Sequence, residues 1–129
     1  MSITFNDVTL RNTIGDSIIS RLAAGTANAT ARLVFRTSAN VVLATANCTA
    51  PPTGSFDEGT VTFSAIADAP IVATGVVTNF QAINRDAVVI FSGSVTPIGG
   101  SGNITFNLVS WVDGDLIRLN SLTLTIPGA

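Results

Sequence analysis

The 129-residue chain contains no histidine, no lysine and no tyrosine, and it has one cysteine and one tryptophan. Histidine is the side chain whose charge changes near neutral pH, so its absence removes the usual proton-exchanging group of a catalytic site. A nucleophile–base–orienter triad cannot be assembled in its histidine-dependent form. One cysteine without histidine cannot supply the nitrogen and sulfur ligands of a tetrahedral zinc site. Cys48 has no partner for an internal disulfide, as expected of a chain that folds in a reducing cytoplasm, and reads as a small half-buried strand residue. These absences predict a protein that is not an enzyme, with catalytic residues none, cofactor none and metal none.

Charge is the next scarcity. Charged residues make up 11% of the chain, against about 25% in ordinary soluble domains. The cations are all arginine (Arg11, Arg21, Arg32, Arg36, Arg85 and Arg118) and lie scattered along the chain. Scattered cations form no phosphate-tracking stripe, so nucleic acid is not expected as a partner. The apolar runs Ala69 to Ala73 and Ala87 to Phe91 fall far short of the roughly 20 residues that cross a bilayer, so no membrane is expected either. The opening Met1-Ser2-Ile3-Thr4-Phe5-Asn6-Asp7 lacks a basic segment, apolar stretch and cleavage site in series, and the mature chain is expected to begin there.

What is present is apolar residue, 47% of the chain, with Thr, Ser, Asn, Ala and Gly left to cover the exterior. Desolvating Thr or Ala costs far less than desolvating Lys or Glu. Either other subunits cover large areas of this surface, or the exterior is neutral and fully solvated. A chain of this length fits one domain, here 1–129, and buries roughly two-thirds of its unfolded surface.

Leu10, Ile14, Ile18 and Leu22 recur every four residues and predict a helix over 9–24. Asn6, Asp7 or Thr9 can cap its start, and Gly25 can take the left-handed conformation past its end. Residues 1–8, with Ile3, Phe5 and Val8 in imperfect alternation, read either as an N-terminal arm that adds a strand to a neighbour or as the first strand of the domain's own sheet. After Thr26 the period changes to two. Ala31, Leu33 and Phe35 alternate with Arg32, Val34 and Arg36; Ser38-Ala39-Asn40 turns the chain; Val41 to Ala46 returns it as a hairpin.

Pro51-Pro52-Thr53-Gly54-Ser55 reads as a loop, and Val61, Phe63 and Ala65 share one strand face. Pro70 is expected to open a long strand from Ile71 to about Ile83, with Asn84-Arg85-Asp86 turning it into Ala87 to Val95. There Val89, Phe91 and Gly93 are assigned to one face. Pro97-Ile98-Gly99-Gly100-Ser101-Gly102 reads as a hairpin turn into Ile104, Phe106 and Leu108. Trp111 precedes the tight turn Val112-Asp113-Gly114-Asp115, and Leu122, Leu124 and Ile126 alternate with Ser121, Thr123 and Thr125 in the last strand. The sum is a mainly β chain, a β-sandwich of about seven or eight strands with one short N-terminal helix.

Few constellations compete with these structural roles. The pairs Asp57-Glu58 and Asp113/Asp115 read as solvated turn carboxylates; two or three oxygens fall short of the six to eight that Ca²⁺ takes. Gly99 to Gly102 would need a helix directly after it to cradle phosphate, and a strand pattern follows instead. Asn28, Asn47 and Asn103 match the glycosylation pattern, as an Asn- and Thr-rich chain does by chance. Trp111 and the Phe residues at 5, 35, 56, 63, 80, 91 and 106 fall mainly at inward positions, where core packing is their role.

The order of these features resembles small virion structural proteins of tailed bacteriophages. The resemblance runs through Thr9-Leu10-Arg11-Asn12 and Ala23-Ala24-Gly25, through Arg32-Leu33-Val34-Phe35 and Val41-Val42-Leu43-Ala44-Thr45, and through Phe91-Ser92-Gly93-Ser94-Val95. It ends on the stretch from Trp111 to Pro127 with its Gly-Asp turn and Ser121-Leu122-Thr123-Leu124-Thr125-Ile126. It implies a head decoration, or cement, protein made in the host cytoplasm and placed on the capsid surface of the virion. The implied partners are the major capsid protein and further copies of the chain, often as a homotrimer. A tail or neck component, or a receptor- or carbohydrate-binding sandwich, is the alternative.

Overall fold

In the computed structural model, which describes residues 7–28, 30–48, 60–63, 66–118 and 122–125, the period-four segment forms helix α1 (Val8–Ala23). Of the three candidate caps, Asp7 takes the role: its carboxylate accepts the N–H of Thr9 at 2.9 Å and of Leu10 at 3.3 Å. Val8, the last residue of the expected arm or first strand, is thus the first helical residue; residues 1–6 lie outside those described. Ala24 is already extended and Gly25 follows at φ +113°, the backbone conformation that ends the helix. The apolar stripe sinks toward its C-terminal end, since Leu10 is 44% exposed, Ile14 and Ile18 are half-buried, and Leu22 is buried.

The strands follow in the order β1 (Arg32–Arg36), β2 (Val42–Asn47), β3 (Thr60–Phe63), β4 (Ala69–Pro70), β5 (Gly75–Val76), β6 (Asn79–Ile83), β7 (Val89–Pro97), β8 (Ile104–Phe106), β9 (Ser110–Trp111), β10 (Leu116–Ile117) and β11 (Leu122–Thr125). Five of them make one sheet in the order β2-β1-β6-β7-β8, antiparallel except for β7 and β8. Both expected hairpins in it form. Asn40 turns the first at φ 64°, with Thr37 Oγ1 accepting the N–H of Ala39 and Val41. Buried Asn84 holds the second by accepting the N–H of Asp86 and Val88, each at 2.9 Å.

Register assigns the two faces of this sheet. Leu33, Phe35, Ala44, Ala46, Phe80 and Ala82 are opposite one another and enter the core, while Arg32, Val34 and Arg36 share the other face with Thr45, Asn79 and Gln81. A bulge between Ala82 and Ile83 places Val89 opposite Ile83 and Phe91 opposite Ala82. Val89 therefore leaves the face of Phe91 and Gly93 to which alternation assigned it, and is 47% exposed.

Two larger expectations are corrected. The strand expected from Ile71 to Ile83 forms only as the separate strands β5 and β6, with residues 71–74 in no strand, because its N–H groups serve different neighbours in turn: Ile71 donates to Asp115 O, Val72 to Leu43 O, Val77 to Val109 O and Thr78 to Arg36 O. β4 pairs with β10 and β5 with β9, forming a second layer over the core face of the main sheet. The stretch Pro97 to Gly102 is no hairpin turn, since β8 returns parallel to β7 with Val95 opposite Ile104. So short a parallel return requires the loop to fold flat onto β7. Gly102 N–H donates to Thr96 Oγ1 at 3.0 Å, and a Cβ on Gly100 or Gly102 would lie 2.6 and 2.8 Å from that oxygen.

The mainly β class therefore holds, with one short helix and curled sheets, though the sheets do not clearly form a sandwich. The five-stranded sheet curls into only half a barrel, and short two-stranded ladders replace a second continuous sheet. A further ladder pairs β3 with β11, Thr60 opposite Thr125 and Phe63 opposite Leu122, and β3 lies beside α1. The expected loop at 51–55, the acidic pair Asp57-Glu58, and the side-chain faces of β3 and β11 lie outside the described residues. The core is knit by aromatic edges: Phe35 meets Trp111 at 5.5 Å and Phe106 at 5.8 Å between ring centroids, and Phe106 meets Trp111 at 5.2 Å. Edge-to-face pairs of this kind contribute about 0.5–1.5 kcal/mol each beyond area burial.

Candidate functional site

In the second layer, strand alternation turns Ala69, Ile117 and Trp111 inward and leaves their neighbours outward. Ser110 apart, the outward set is apolar. Val72 is 59% exposed, Val112 54% and Leu116 69%, with exposed Pro70 paired across from Leu116 and Val76 also open to solvent. Leu108, 67% exposed, stands at the margin. A layer of two-residue strands thus carries apolar side chains on both its faces, one spent on the core and one left uncovered.

An open cleft of about 250 Å³ lies beside this face, walled by Ile71, Phe106, Leu108, Trp111, Leu116 and Ile117, with Asp115 and Arg118 at its mouth. The Trp111 ring is only 5% exposed and its indole N–H donates to Leu108 O at 2.8 Å, so it braces the cleft rather than offering a stacking platform. Arg118 is engaged with Asp68 at 3.1 Å, and that hydrogen-bonded pairing raises the already high arginine pKa.

The turn carboxylates Asp113 and Asp115 come together as expected around Gly114, whose φ is +97°. The Asp115 N–H closes the turn on Val112 O, and the Asp113 N–H donates to Thr74 Oγ1 at 3.1 Å. Both side chains are exposed, and neither has a hydrogen-bond or ion-pair partner among the described residues. No group of three or more potential metal ligands occurs among the described residues.

Cys48 is more buried than its strand position suggested, 4% exposed, in a backbone bridge with Ile66. Burial pushes its thiol up to about 11. Of the sequon asparagines, Asn28 donates to Arg85 O and Asn103 accepts from Ser94 N–H, both structural ties; Asn47 is exposed at the end of β2.

Two features escaped the sequence reading. One is the outward apolar set of the second layer, hidden inside what reads as a single strand. The other is a pair of cations. Arg32 and Arg36 flank buried Val34 on the outer face of the main sheet, and the Nε of each is buried without a hydrogen-bond partner. Their neighbours across the register are Asn47 and Ile83 for Arg32, and Val42 and Asn79 for Arg36, with no acid among them. The alternation of 31–36 contains this pair, but a count of scattered cations does not reveal it. Comparison with family models, with curated proteins and with solved structures finds no match for this chain.

Proposed function

We propose that this chain is a structural protein of a tailed-phage virion, a decoration (cement) subunit that binds the major capsid protein on the head shell as a homo-oligomer. The observation that carries the reading is the uncovered outward face of the second layer, where Val72, Val76, Val112 and Leu116 stand exposed on a chain with 11% charged residues. A solvated monomer gains nothing from such a face; a subunit pressed between neighbours loses little by desolvating it. Cementing then works by differential binding. A subunit that meets two capsomers only in the expanded shell stabilises that shell, and many weak contacts resist internal pressure together.

Electron microscopy of particles carrying the protein tests this. Hundreds of copies spread over the head are expected; a handful of copies at the neck or tail would replace decoration by the tail-component reading. The cleft between Leu108 and Leu116 favours a second reading, a receptor- or carbohydrate-binding module. Glycan-array binding that vanishes in Leu116→Asp would favour it over decoration.

A further inference from the structure

The ladders β4–β10 and β5–β9 are two stretches of one register: Ala69 stands opposite Ile117, Pro70 opposite Leu116, Gly75 opposite Trp111 and Val76 opposite Ser110. Beside them the N–H of Ile71 reaches Asp115 O and that of Val77 reaches Val109 O. Successive residues of an antiparallel ladder direct their backbone groups across it and away from it by turns. Ser110 and Leu116 hold the alternate positions, so their N–H and C=O groups point away from the ladder, and among the described residues no strand pairs with that edge. Both residues are exposed and both line the cleft.

The size and walls of the cleft restrict what fills it. Its volume of about 250 Å³ lies below the roughly 300–1,000 Å³ of clefts that enclose small-molecule ligands, and suits one large aliphatic side chain. Buried Ile71, Trp111 and Ile117 and half-buried Phe106 form the floor, and exposed Leu108 and Leu116 stand on the rim. The one polar side-chain atom of that floor, the Trp111 indole nitrogen, already donates to Leu108 O. A sugar hydroxyl pressed onto it would lose its water without a replacement partner, so the entering group has an apolar tip. Charge decides what flanks that tip. Arg118 at the mouth is held by Asp68, whereas the exposed carboxylates of Asp115 and, across Gly114, of Asp113 have no partner among the described residues. The uncompensated charge at the mouth is negative and complements a cation.

We propose that the cleft binds an extended peptide segment of a partner protein, which pairs with the Ser110 and Leu116 edge, seats one aliphatic side chain against Trp111, and places an adjacent arginine or lysine at Asp115. Strand addition supplies the backbone hydrogen bonds, the cleft selects the side chain, and the carboxylates select the cation. This deepens the proposed function by naming the chemistry of the partner beside the uncovered face, and it rests on a protein being what covers that face.

Heteronuclear NMR of the full chain tests the contact, with acetyl-Thr-Leu-Arg-Thr-amide as the probe. Saturable shifts are expected at the Trp111 indole N–H and at the Ser110 and Leu116 amides, with a dissociation constant on the order of 1 mM for so small a contact. Replacing the probe's leucine by alanine, or its arginine by glutamate, should weaken binding about tenfold in each case. The double variant Asp113→Asn, Asp115→Asn should lose the preference for arginine over glutamate and keep the preference for leucine over alanine. These carboxylates hold nothing in the fold, so its circular dichroism spectrum should match that of the wild type. No saturable shift at these groups up to about 10 mM probe overturns the inference, and so does equal affinity for the arginine and glutamate probes. Shifts that follow the chain's own concentration would give the cleft to a second copy, and shifts with maltose but not with the peptide would give it to a sugar; either result overturns it. A chain that coats phage heads yet ignores the peptide loses this contact alone, and one that takes the peptide but is absent from particles loses the virion reading alone.

Discussion

Asp86 Oδ1 accepts the backbone N–H of Thr26 at 2.9 Å, across a separation of 60 residues, and ties the end of the helix to the β6–β7 turn. The same oxygen accepts the N–H of Ala27 at 2.9 Å. These two bonds, that from Ala27 foremost, hold the carboxylate below its ordinary range. A depressed folded pKa contributes stability that is complete above the unfolded value of about 3.9 and is lost as pH falls through the lower folded value. Asp86→Asn should therefore lower the urea midpoint at pH 7, with the gap to wild type shrinking below pH 4. The site is exposed, so added salt should narrow the gap as well. Equal gaps at pH 7 and pH 3 would contradict the assignment.

Gly25 is locked into the same junction. A Cβ there would lie 2.7 Å from Asp86 Cγ and 2.8 Å from Asp86 N, in a backbone conformation that L side chains rarely adopt. Gly25→Ala should cost about 2 kcal/mol or more, read as a lower denaturant midpoint.

Ala87 sits two residues past Arg85 in the turn at φ 64°, in the left-handed region, and its side chain is exposed. Relief of left-handed strain, offset by the greater freedom of an unfolded glycine, predicts that Ala87→Gly stabilises the chain by up to about 1 kcal/mol. Thermal melts of the two proteins would decide this, and an unchanged or lower midpoint would count against it.

Cys48 should react slowly with a thiol reagent in the native state and rapidly in denaturant. Burial holds its thiol at about 11, above the ordinary 9.0. The sign follows from which state ionises first. Stability is undiminished below pH 9.0, and it falls between 9.0 and about 11 as the unfolded thiol loses its proton before the folded one. Cys48→Ser, a buried hydroxyl in an apolar cluster, should cost about 1–3 kcal/mol, and Cys48→Ala less.

Trp111 is the sole tryptophan and is buried against Phe35 and Phe106. Its fluorescence should be blue-shifted when folded and move to the red in a single transition on unfolding. Trp111→Ala should cost about 3–5 kcal/mol, measured by circular dichroism since the fluorophore is gone.

The elements that could be read from the sequence are those specified by neighbours in the chain. Asp7, the stripe from Leu10 to Leu22 and Gly25 frame a helix whose start moved by one residue, and the Asn40 and Asn84 turns sit where short polar segments interrupt alternation. Residues 69–83 could not be read in this way. Val, Ala and Thr there indicate apolar surroundings on both sides, whereas the break depends on carbonyls from Arg36, Leu43, Val109 and Asp115, which are remote in sequence. Gly99 to Gly102 permits a hairpin and a parallel return equally well, and the Thr96 hydroxyl selects the latter. The candidate surface was hidden for the same reason: Val72 and Leu116 become outward only once Pro70 is paired with Leu116.

The alternating hydrogen bonds of residues 71–78 have a mechanical consequence. One segment is stitched by turns to the main sheet, through Leu43 and Arg36, and to the second layer, through Asp115 and Val109. Pulling the layers apart must load these stitches together, because neither the β4–β10 nor the β5–β9 ladder can peel away while the segment stays fixed to the sheet. Force and heat should then find one cooperative unit, with amides of Ile71 and Val72 exchanging as slowly as those of β1.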